Sequence, residues 1–196
     1  ILTVAHRADP GRWDTIQAHS ISDWPCIGPS YSGILQYDPT PGRNDTIVGD
    51  LAEKWEISKD GLVYTFYLHK GIKWHDGQPF TSEDARFTVD RIKNTPRGID
   101  SVRSVLFAAV DKLETPDENT LKITLKYASA PFLDSVAHGR QAMQPKHIVE
   151  KKGNMLRDVL GTGPFKFKSY SPGTIWEVEK FKDYFVKGRP YLNGIK

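Results

Sequence analysis

Two pairs of neighbouring polar residues lie in the stretch GIKWHDGQPFTSEDARFTVDRI, residues 71–92. His75 precedes Asp76, and Glu83 precedes Asp84. An imidazole beside carboxylates can perform general acid–base catalysis, and the same groups are common metal ligands. The spacing therefore raises two hypotheses, a hydrolase that uses His75 with the neighbouring acids, and a metal site.

A structural interpretation accounts for the same residues. The Asp76-Gly77 step has the composition of a tight turn. Thr81 precedes Asp84 by three residues, which approximates a capping box at a helix start, and acids in the first turn suit the positive end of the helix dipole. The apolar residues that this helix would bury are Ala85, Val89 and Ile92.

The metal hypothesis fits the spacing poorly. Adjacent side chains in a strand point to opposite faces, so His75 and Asp76 would diverge. The sequence contains no H-E-x-x-H, H-x-H or C-x-x-C pattern. The single Cys26 cannot form an internal disulfide or pair with a second thiolate around zinc, and it leaves the redox compartment open. We therefore expect no catalytic residue, no metal and no cofactor, and we interpret the stretch as scaffold.

A glycine-rich segment, GTGPFK at residues 161–166, is the other candidate for chemistry. Pro164 removes an amide donor where a phosphate cradle would need one, and the spacing matches neither common nucleotide-binding pattern. The segment is predicted to be a turn between subdomains.

The bulk composition limits the possible functions. The chain has 196 residues, 38% hydrophobic and 26% charged, with a net charge of +3. This charge is too small to indicate a nucleic-acid partner. No apolar run is long enough for a membrane span and no signal-peptide pattern occurs, so we expect neither. The opening ILTVAH is typical of a strand, and both ends of the sequence look cut.

Three hairpins are predicted from turn residues between β-prone runs. The turns are at Lys59-Asp60-Gly61, at Pro116 to Asn119 and at Ser171-Pro172-Gly173. A period of two in the flanking runs indicates sheets with one buried face. One strand is predicted to carry Tyr64, Phe66 and Leu68 on one face and Val63, Thr65 and Tyr67 on the other. A second strand is predicted to bury Leu121, Ile123, Leu125 and Tyr127.

Short helices are predicted between these hairpins, over residues 28–36, 130–138 and 145–153, the last ending at Gly153. The long βαβ spacing of a parallel nucleotide-binding sheet is absent. The expected fold class is therefore α+β, with mixed or antiparallel sheets and short helices.

Taken together, three stretches resemble the bacterial extracellular solute-binding proteins of family 5, which serve ABC importers for peptides and nickel. The stretches occur in the family's order and cover more than half of the chain. They are GDLAEKWEISKDGLVYTFYLHKGIKWHDGQPFTSEDARFTVDRI, KLETPDENTLKITLKYASAPFL, and GTGPFKFKSYSPGTIWEVEKFKDYF with GRPYLNGI.

The resemblance implies a class II-like periplasmic binding protein fold, of which this chain would supply only the N-terminal lobe. Residues 1–30 and 161–196 would form an incomplete subdomain that lines the cleft. Residues 31–160 would form the extra subdomain of the peptide-binding class. The second lobe of the same protein would then be missing from this sequence.

The resemblance also implies the substrate contacts of the first lobe. By position these are Arg7, Ala8, Asp9, Ser20, Ile21, Ser22, Trp24, Gly139 and Arg140. Arg7 and Arg140 carry the guanidinium group that suits a ligand carboxylate, and Asp9 could receive an amine. Exposed loop charge is the alternative for each.

The implied function is that of a substrate-binding component of an ABC importer, or a piece of one, and not an enzyme. Its partners would be a peptide or similar small solute and the permease subunits, outside the inner membrane in the periplasm or extracellular space, with a lipid anchor in the full-length protein left open. The hydrolase centred on His75 stays open as an alternative. So does an isolated interaction module that forms a homodimer through surface exposed by the missing lobe.

Overall fold

The computed structural model describes residues 1–18, 20–99, 101 and 103–196. It confirms the α+β class, with antiparallel sheets and short helices. The α-helices are α1 (Trp24–Ile27), α2 (Ser82–Lys93), α3 (Phe132–Ala137) and α4 (Lys146–Lys152), and 3-10 turns cover Gly28–Ser30 and Ser104–Phe107. The strands are β1 (Leu35–Tyr37), β2 (Ile47–Gly49), β3 (Ala52–Ile57), β4 (Val63–Leu68), β5 (Val110–Asp117), β6 (Thr120–Leu125), β7 (Phe165–Ser171), β8 (Ile175–Lys180) and β9 (Gly194–Ile195).

The first two predicted hairpins form one antiparallel sheet in the order β3-β4-β6-β5. Gly61 adopts a φ of +69° in the first turn, a conformation that glycine takes without a Cβ penalty. The predicted division of β4 into two faces is confirmed, and the face of Tyr64, Phe66 and Leu68 is the buried one, while Val63, Thr65 and Tyr67 are only partly buried. This alternation places one face of the sheet on the core.

The buried face of β6 is confirmed for Leu121, Ile123 and Leu125, but the prediction for Tyr127 is wrong. Tyr127 is 58% exposed because β6 ends at Leu125, so the alternation no longer applies. Large side chains from sheet and helices fill the core, among them Phe66, Phe107 and Phe132. Each contributes roughly 1.5–3 kcal/mol by leaving water.

Helix α2 begins with the predicted capping box. The Thr81 amide donates to Asp84 Oδ2 at 3.0 Å, and the Asp84 amide donates back to the Thr81 side chain. Its predicted apolar face is confirmed, with Ala85, Val89 and Ile92 all buried. The helix packs on β5 and β6 and so covers the sheet.

The helix predicted over residues 28–36 is wrong in its position. Helix α1 and the following 3-10 turn end at Ser30, and the chain is then extended into β1. The amide of Leu51 donates to Gly33 O, and that of Ala52 to Ile34 O. Pairing with this distant segment therefore fixes Gly33 and Ile34 in extended geometry.

The two later helices are confirmed as α3 and α4, and α4 ends at Gly153 with φ of +81°. The third hairpin is confirmed as β7-β8, and β9 joins it to make a three-stranded sheet. Leu2 bridges Ile195 in parallel, with the Leu2 amide 3.0 Å from Gly194 O. The two ends of the chain therefore meet at one sheet edge.

Among the helices formed by the described residues, none combines the length and the apolar character that a membrane crossing requires.

Candidate functional site

His75 is buried against the glycine-rich segment. Its Nδ1 accepts a hydrogen bond from the Gly161 amide at 3.4 Å, so Nε2 carries the proton and donates to Gly163 O at 2.9 Å. Burial lowers the pKa of His75 to about 4, and the imidazole is neutral at neutral pH. This geometry uses both ring nitrogens to join two backbone segments.

The neighbouring acids also have structural partners. Asp76 accepts from the Gln78 amide at 3.1 Å and lies 2.8 Å from the ring of His147. Glu83 forms two bonds of 2.7 Å with Arg86, which hold the pKa of this carboxyl at about 2 despite partial burial. Within the described part of the chain, no group of three or more His, Cys, Asp or Glu side chains is placed to hold a metal ion.

The glycine-rich segment contacts protein backbone. A Cβ at Gly161 would stand 1.9 Å from Ser30 O, and one at Gly163 would stand 2.5 Å from the Tyr31 nitrogen. The Gly163 amide donates to Ser30 O at 3.1 Å. Both glycines are thus needed for the segment to lie against residues 30–31.

Three of the predicted contact residues, Arg7, Ala8 and Asp9, are exposed in the loop that follows the Leu2–Ile195 bridge. Ala8 O lies 2.7 Å from His6 Nδ1. Asp9 Oδ2 accepts from the Gly173 amide at 2.7 Å, which ties the loop to the β7-β8 turn. Asp9 is therefore already engaged by the protein.

A second predicted segment is held by Asp23. The Ser20 and Ser22 hydroxyls lie 2.8 Å apart, and the Ser20 amide donates to Asp23 Oδ2 at 3.1 Å. Asp23 Oδ1 accepts from the amides of Gly11 at 2.9 Å and Arg12 at 3.2 Å. Burial raises the pKa of Asp23, but these hydrogen bonds outweigh it and the net pKa is lowered.

Ile21 projects from this segment and is 77% exposed. Hydrogen bonds between Ser20 and Asp23 fix the turn that carries Ile21, so its apolar side chain is exposed at a defined position. Asp23 was not among the predicted site residues, because its bonds to residues 11 and 12 have no signature in the sequence.

Arg103 joins the segment of Trp24 to the segment of Arg140, both of which contain predicted contact residues. Arg103 itself was not predicted from the sequence. Its guanidinium is buried and donates to the carbonyls of Ile16 at 3.1 Å and Ala18 at 2.8 Å, as well as to those of Thr15 and Arg140. The Trp24 ring lies 5.8 Å from this guanidinium, and its Nε1 donates to Ala18 O at 2.8 Å. One side chain therefore brings together the carbonyl groups of residues 15, 16 and 18, the Trp24 ring and residue 140.

A cavity of about 130 Å³ lies beside this junction. Trp24 and Gly139, both predicted contacts, form part of its wall, together with Tyr31, Asp50, His138 and Gln141. Burial raises the pKa of Asp50 to about 7. Burial lowers the pKa of His138, and the charges of Arg140 and Arg103 lower it further.

A larger depression of about 630 Å³ lies at the end of β8, lined by residues such as Lys166, Glu179 and Lys180. It contains none of the predicted contact residues and carries charges of both signs. The smaller cavity is the better candidate for solute contact, because two predicted contacts line it.

Comparison with known proteins places this geometry in a family. The model of the bacterial extracellular solute-binding proteins, family 5 Middle, matches residues 46–196. A Brucella ovis protein named as an ABC transporter peptide-binding protein is 40% identical over 158 residues, covering 77% of this chain and 29% of that protein. The glutathione-binding protein GsiB of Pectobacterium atrosepticum is 33% identical, over 84% of this chain and 31% of its own.

Solved structures show the same fold. The binding protein AgaA of A. tumefaciens R10, in complex with agropinic acid, superposes with a TM-score of 0.87 at 30% identity, over 96% of this chain and 37% of that one. DppA of Helicobacter pylori, in complex with the peptide STSA, gives a TM-score of 0.87 at 26% identity, over 99% and 41%. The chain spans about a third of the length of the curated relatives, and it belongs to the bacterial extracellular solute-binding proteins of family 5.

Proposed function

We propose that this chain contributes one lobe of the substrate-binding component of an ABC importer, which captures a peptide or similar small solute outside the inner membrane and delivers it to the permease. The observation that carries the proposal is the family match over residues 46–196. Support comes from the junction at Arg103, where segments predicted to contact solute lie side by side.

The proposed division of the chain follows its two main sheets. Residues 1–30 with 161–196 hold the three-stranded sheet and would line the cleft, and residues 31–160 hold the four-stranded sheet as an extra subdomain. The bridge between Leu2 and Ile195 supports this grouping of the chain ends. The glycine-rich segment and His75 would join the two subdomains.

Solute capture would proceed by closure on a second lobe outside this chain. Ligand that contacts both lobes in the closed form, and only one in the open form, shifts the population towards closure. Residues 7–9 and Ile21 are exposed, and a peptide that lies along them would be held largely by main-chain hydrogen bonds in strand-like geometry. Arg7 and Arg140 would attract a carboxylate, whereas an amine at Asp9 would compete with the Gly173 amide.

The solute class is proposed from chemistry that the relatives share. Their names and titles mention a peptide, glutathione and agropinic acid, all small polar molecules with carboxylates. No bond of the solute is altered in this scheme. His75 and the neighbouring acids Asp76, Glu83 and Asp84 form hydrogen bonds within the fold, so we do not propose the hydrolase.

A second candidate is an interaction module that pairs two copies. Exposed apolar side chains cluster in sequence at both chain ends, which meet at β9. They are Ile1, Leu2, Val4, Tyr191 and Leu192. Sedimentation equilibrium decides between the candidates, because a monomeric mass at micromolar concentration contradicts the module and a dimeric mass supports it.

The experiment that tests solute capture is equilibrium dialysis against a pool of di- and tripeptides, followed by mass spectrometry of what the protein retains. The proposal expects retained peptides with unchanged masses. Absence of any retained solute at millimolar peptide, or the appearance of cleaved products, contradicts it.

A further inference from the structure

We propose that the cavity between Trp24, Asp50 and Gln141 is a subsite for a small cationic group of the solute, a guanidinium or a primary ammonium. The inference rests on the proposed function, because it names the chemistry of the captured molecule. It goes beyond the contacts expected from the family resemblance, since Asp50 and Gln141 were not among them.

The first observation is a carboxylate without a counter-charge. Asp50 Oδ2 accepts from the Gly33 amide at 2.8 Å, and the Ser32 hydroxyl is its other hydrogen-bond partner. Across the described residues, Asp50 forms no ion pair with a lysine, arginine or histidine. A partly buried carboxylate of this kind is costly unless a cation or additional donors reach it. A cationic ligand would supply both.

The second observation is independent of charge. Gln141 is 3% exposed, and in the part of the chain that the structure describes neither atom of its side-chain amide has a hydrogen-bond partner. A buried amide that is left unpaired loses its hydrogen bonds to water without replacement, which is unfavourable. Because Gln141 lies in the wall of the same cavity as Asp50, one N–H-rich ligand group can satisfy the amide oxygen and the carboxylate together.

The remaining walls suit a cation. Trp24 and Tyr31 present aromatic surface, which attracts cations through the ring quadrupole. His138 also lines the cavity, and the lowered pKa keeps its imidazole neutral at neutral pH. The positive charges of Arg103 and Arg140 also lower the pKa of His138, whereas Asp50 is the acidic side chain among the described residues that line the cavity. The Asp50 end therefore holds the negative potential.

The size of the cavity restricts what enters. A volume of about 130 Å³ equals roughly four water molecules, enough for a guanidinium or ammonium head but too small for a whole peptide. The cavity would therefore bind one charged group of a larger solute, and the rest of that solute would lie along residues 20–24 and 139–140.

The test uses the 196-residue chain and two probes of matched shape, methylguanidinium and neutral methylurea, in NMR titrations at pH 8 and constant ionic strength. We expect saturable shifts at the amides of Gly33, Asp50 and Gln141 with methylguanidinium. Methylurea should bind at least tenfold more weakly, since a charge-assisted hydrogen bond is lost. Equal shifts from both probes, or no shift from either, overturn the inference.

Variants locate the binding group. Asp50→Asn should weaken methylguanidinium binding about tenfold or more, and Gln141→Leu about threefold to tenfold. Glu53→Gln is the matched control, because it removes the same charge from an exposed position on β3 and should leave binding unchanged. Unchanged binding in Asp50→Asn, or an equal loss in Glu53→Gln, contradicts the subsite. The two-probe comparison on the unmodified chain decides the question if a variant does not fold.

Peptide retention is a separate readout, so the two proposals can fail separately. Retained peptides together with no response to methylguanidinium would leave solute capture standing and remove the subsite. A selective methylguanidinium response without peptide retention would keep the subsite and contradict capture.

Discussion

The His75 ring donates a 2.9 Å hydrogen bond to Gly163 O, joining segments 88 residues apart in the chain. The Gly161 amide donates to the other ring nitrogen, so one side chain fixes both glycines of the GTG sequence. The residue that most resembles a catalytic base is therefore a structural link. The four-stranded sheet region and the segment leading into β7 are held together at this point.

Replacement of His75 by alanine should destabilise the protein by about 1–3 kcal/mol. The change leaves the Gly163 carbonyl and Gly161 amide buried without their partner and opens a cavity beside Phe181, which packs on the ring. Urea unfolding followed by circular dichroism measures the loss. His6→Ala is the control and should cost less than 0.5 kcal/mol, roughly the value for surface changes, because His6 is exposed. Equal stability of the two variants would contradict the structural role.

Gly163→Ala should be more damaging than His75→Ala, at roughly 3 kcal/mol or more. The new Cβ would meet backbone atoms of Ser30 and Tyr31 within 2.8 Å, and backbone cannot rotate away as a side chain can. The midpoint of thermal unfolding is the measurement. Gly139→Ala is a matched control, since no atom lies within 4 Å of its added Cβ. A Gly163→Ala protein as stable as Gly139→Ala would show that the close approach is wrong.

Arg103→Lys should cost about 2–3 kcal/mol although it preserves the charge. One ammonium cannot reach the carbonyls of both Ala18 and Arg140, which the guanidinium fork spans, so buried acceptors lose their donors. Urea unfolding gives the stability, and tryptophan fluorescence should report a changed environment of Trp24. Arg97→Lys, at an exposed position, serves as the control. Retained stability and an unchanged spectrum in Arg103→Lys would exclude its role as the junction.

Two titratable groups, His75 and Asp50, should make opposite contributions to the pH dependence of stability. The pKa of His75 is lowered to about 4, so the unfolded chain takes up this proton first and stability falls as pH drops below about 6.5. The pKa of Asp50 is raised to about 7, so the unfolded chain ionises first and stability falls as pH rises from about 4 to 7. In the unmodified protein the two effects oppose each other.

Asp50→Asn removes the second contribution. Relative to the unmodified protein, this variant should gain roughly 1–3 kcal/mol of unfolding free energy between pH 4.5 and pH 7.5. Urea unfolding at closely spaced pH values measures the difference. Glu53→Gln should show no such gain, because Glu53 is exposed. Parallel pH profiles of Asp50→Asn and the unmodified chain would mean that Asp50 ionises as an ordinary carboxyl.

The hairpins and helix α2 could be predicted because their determinants are local. The Asp60-Gly61 turn, the alternation around Phe66 and the capping box at Thr81 each lie within a few residues. The prediction of a helix over residues 28–36 is wrong because pairing with residues 49–52 decides the backbone there. A period of two likewise could not show that β6 stops before Tyr127.

The candidate site was less predictable than the fold, because its organising residues act over long separations. Asp23 binds amides 11 and 12 residues earlier in the chain, and Arg103 reaches carbonyls 85 to 88 residues away. Neither residue stands in a periodic segment or a motif. Only the assembled structure shows that the segments of Ser20 and Arg140 lie against the same side chain.

The measurement that tests the central claim most directly is an NMR titration of this chain with a tripeptide pool, followed by mass spectrometry of the pool. If each lobe supplies half of a micromolar binding free energy of about −8 kcal/mol, one lobe retains about −4 kcal/mol, which is millimolar affinity. The account predicts weak, saturable shifts at residues 7–9, 20–24 and 139–140, to which the cavity subsite adds shifts at Gly33, Asp50 and Gln141, with every peptide recovered intact. Cleaved peptides, micromolar affinity in the isolated chain, or shifts confined to other residues would contradict it.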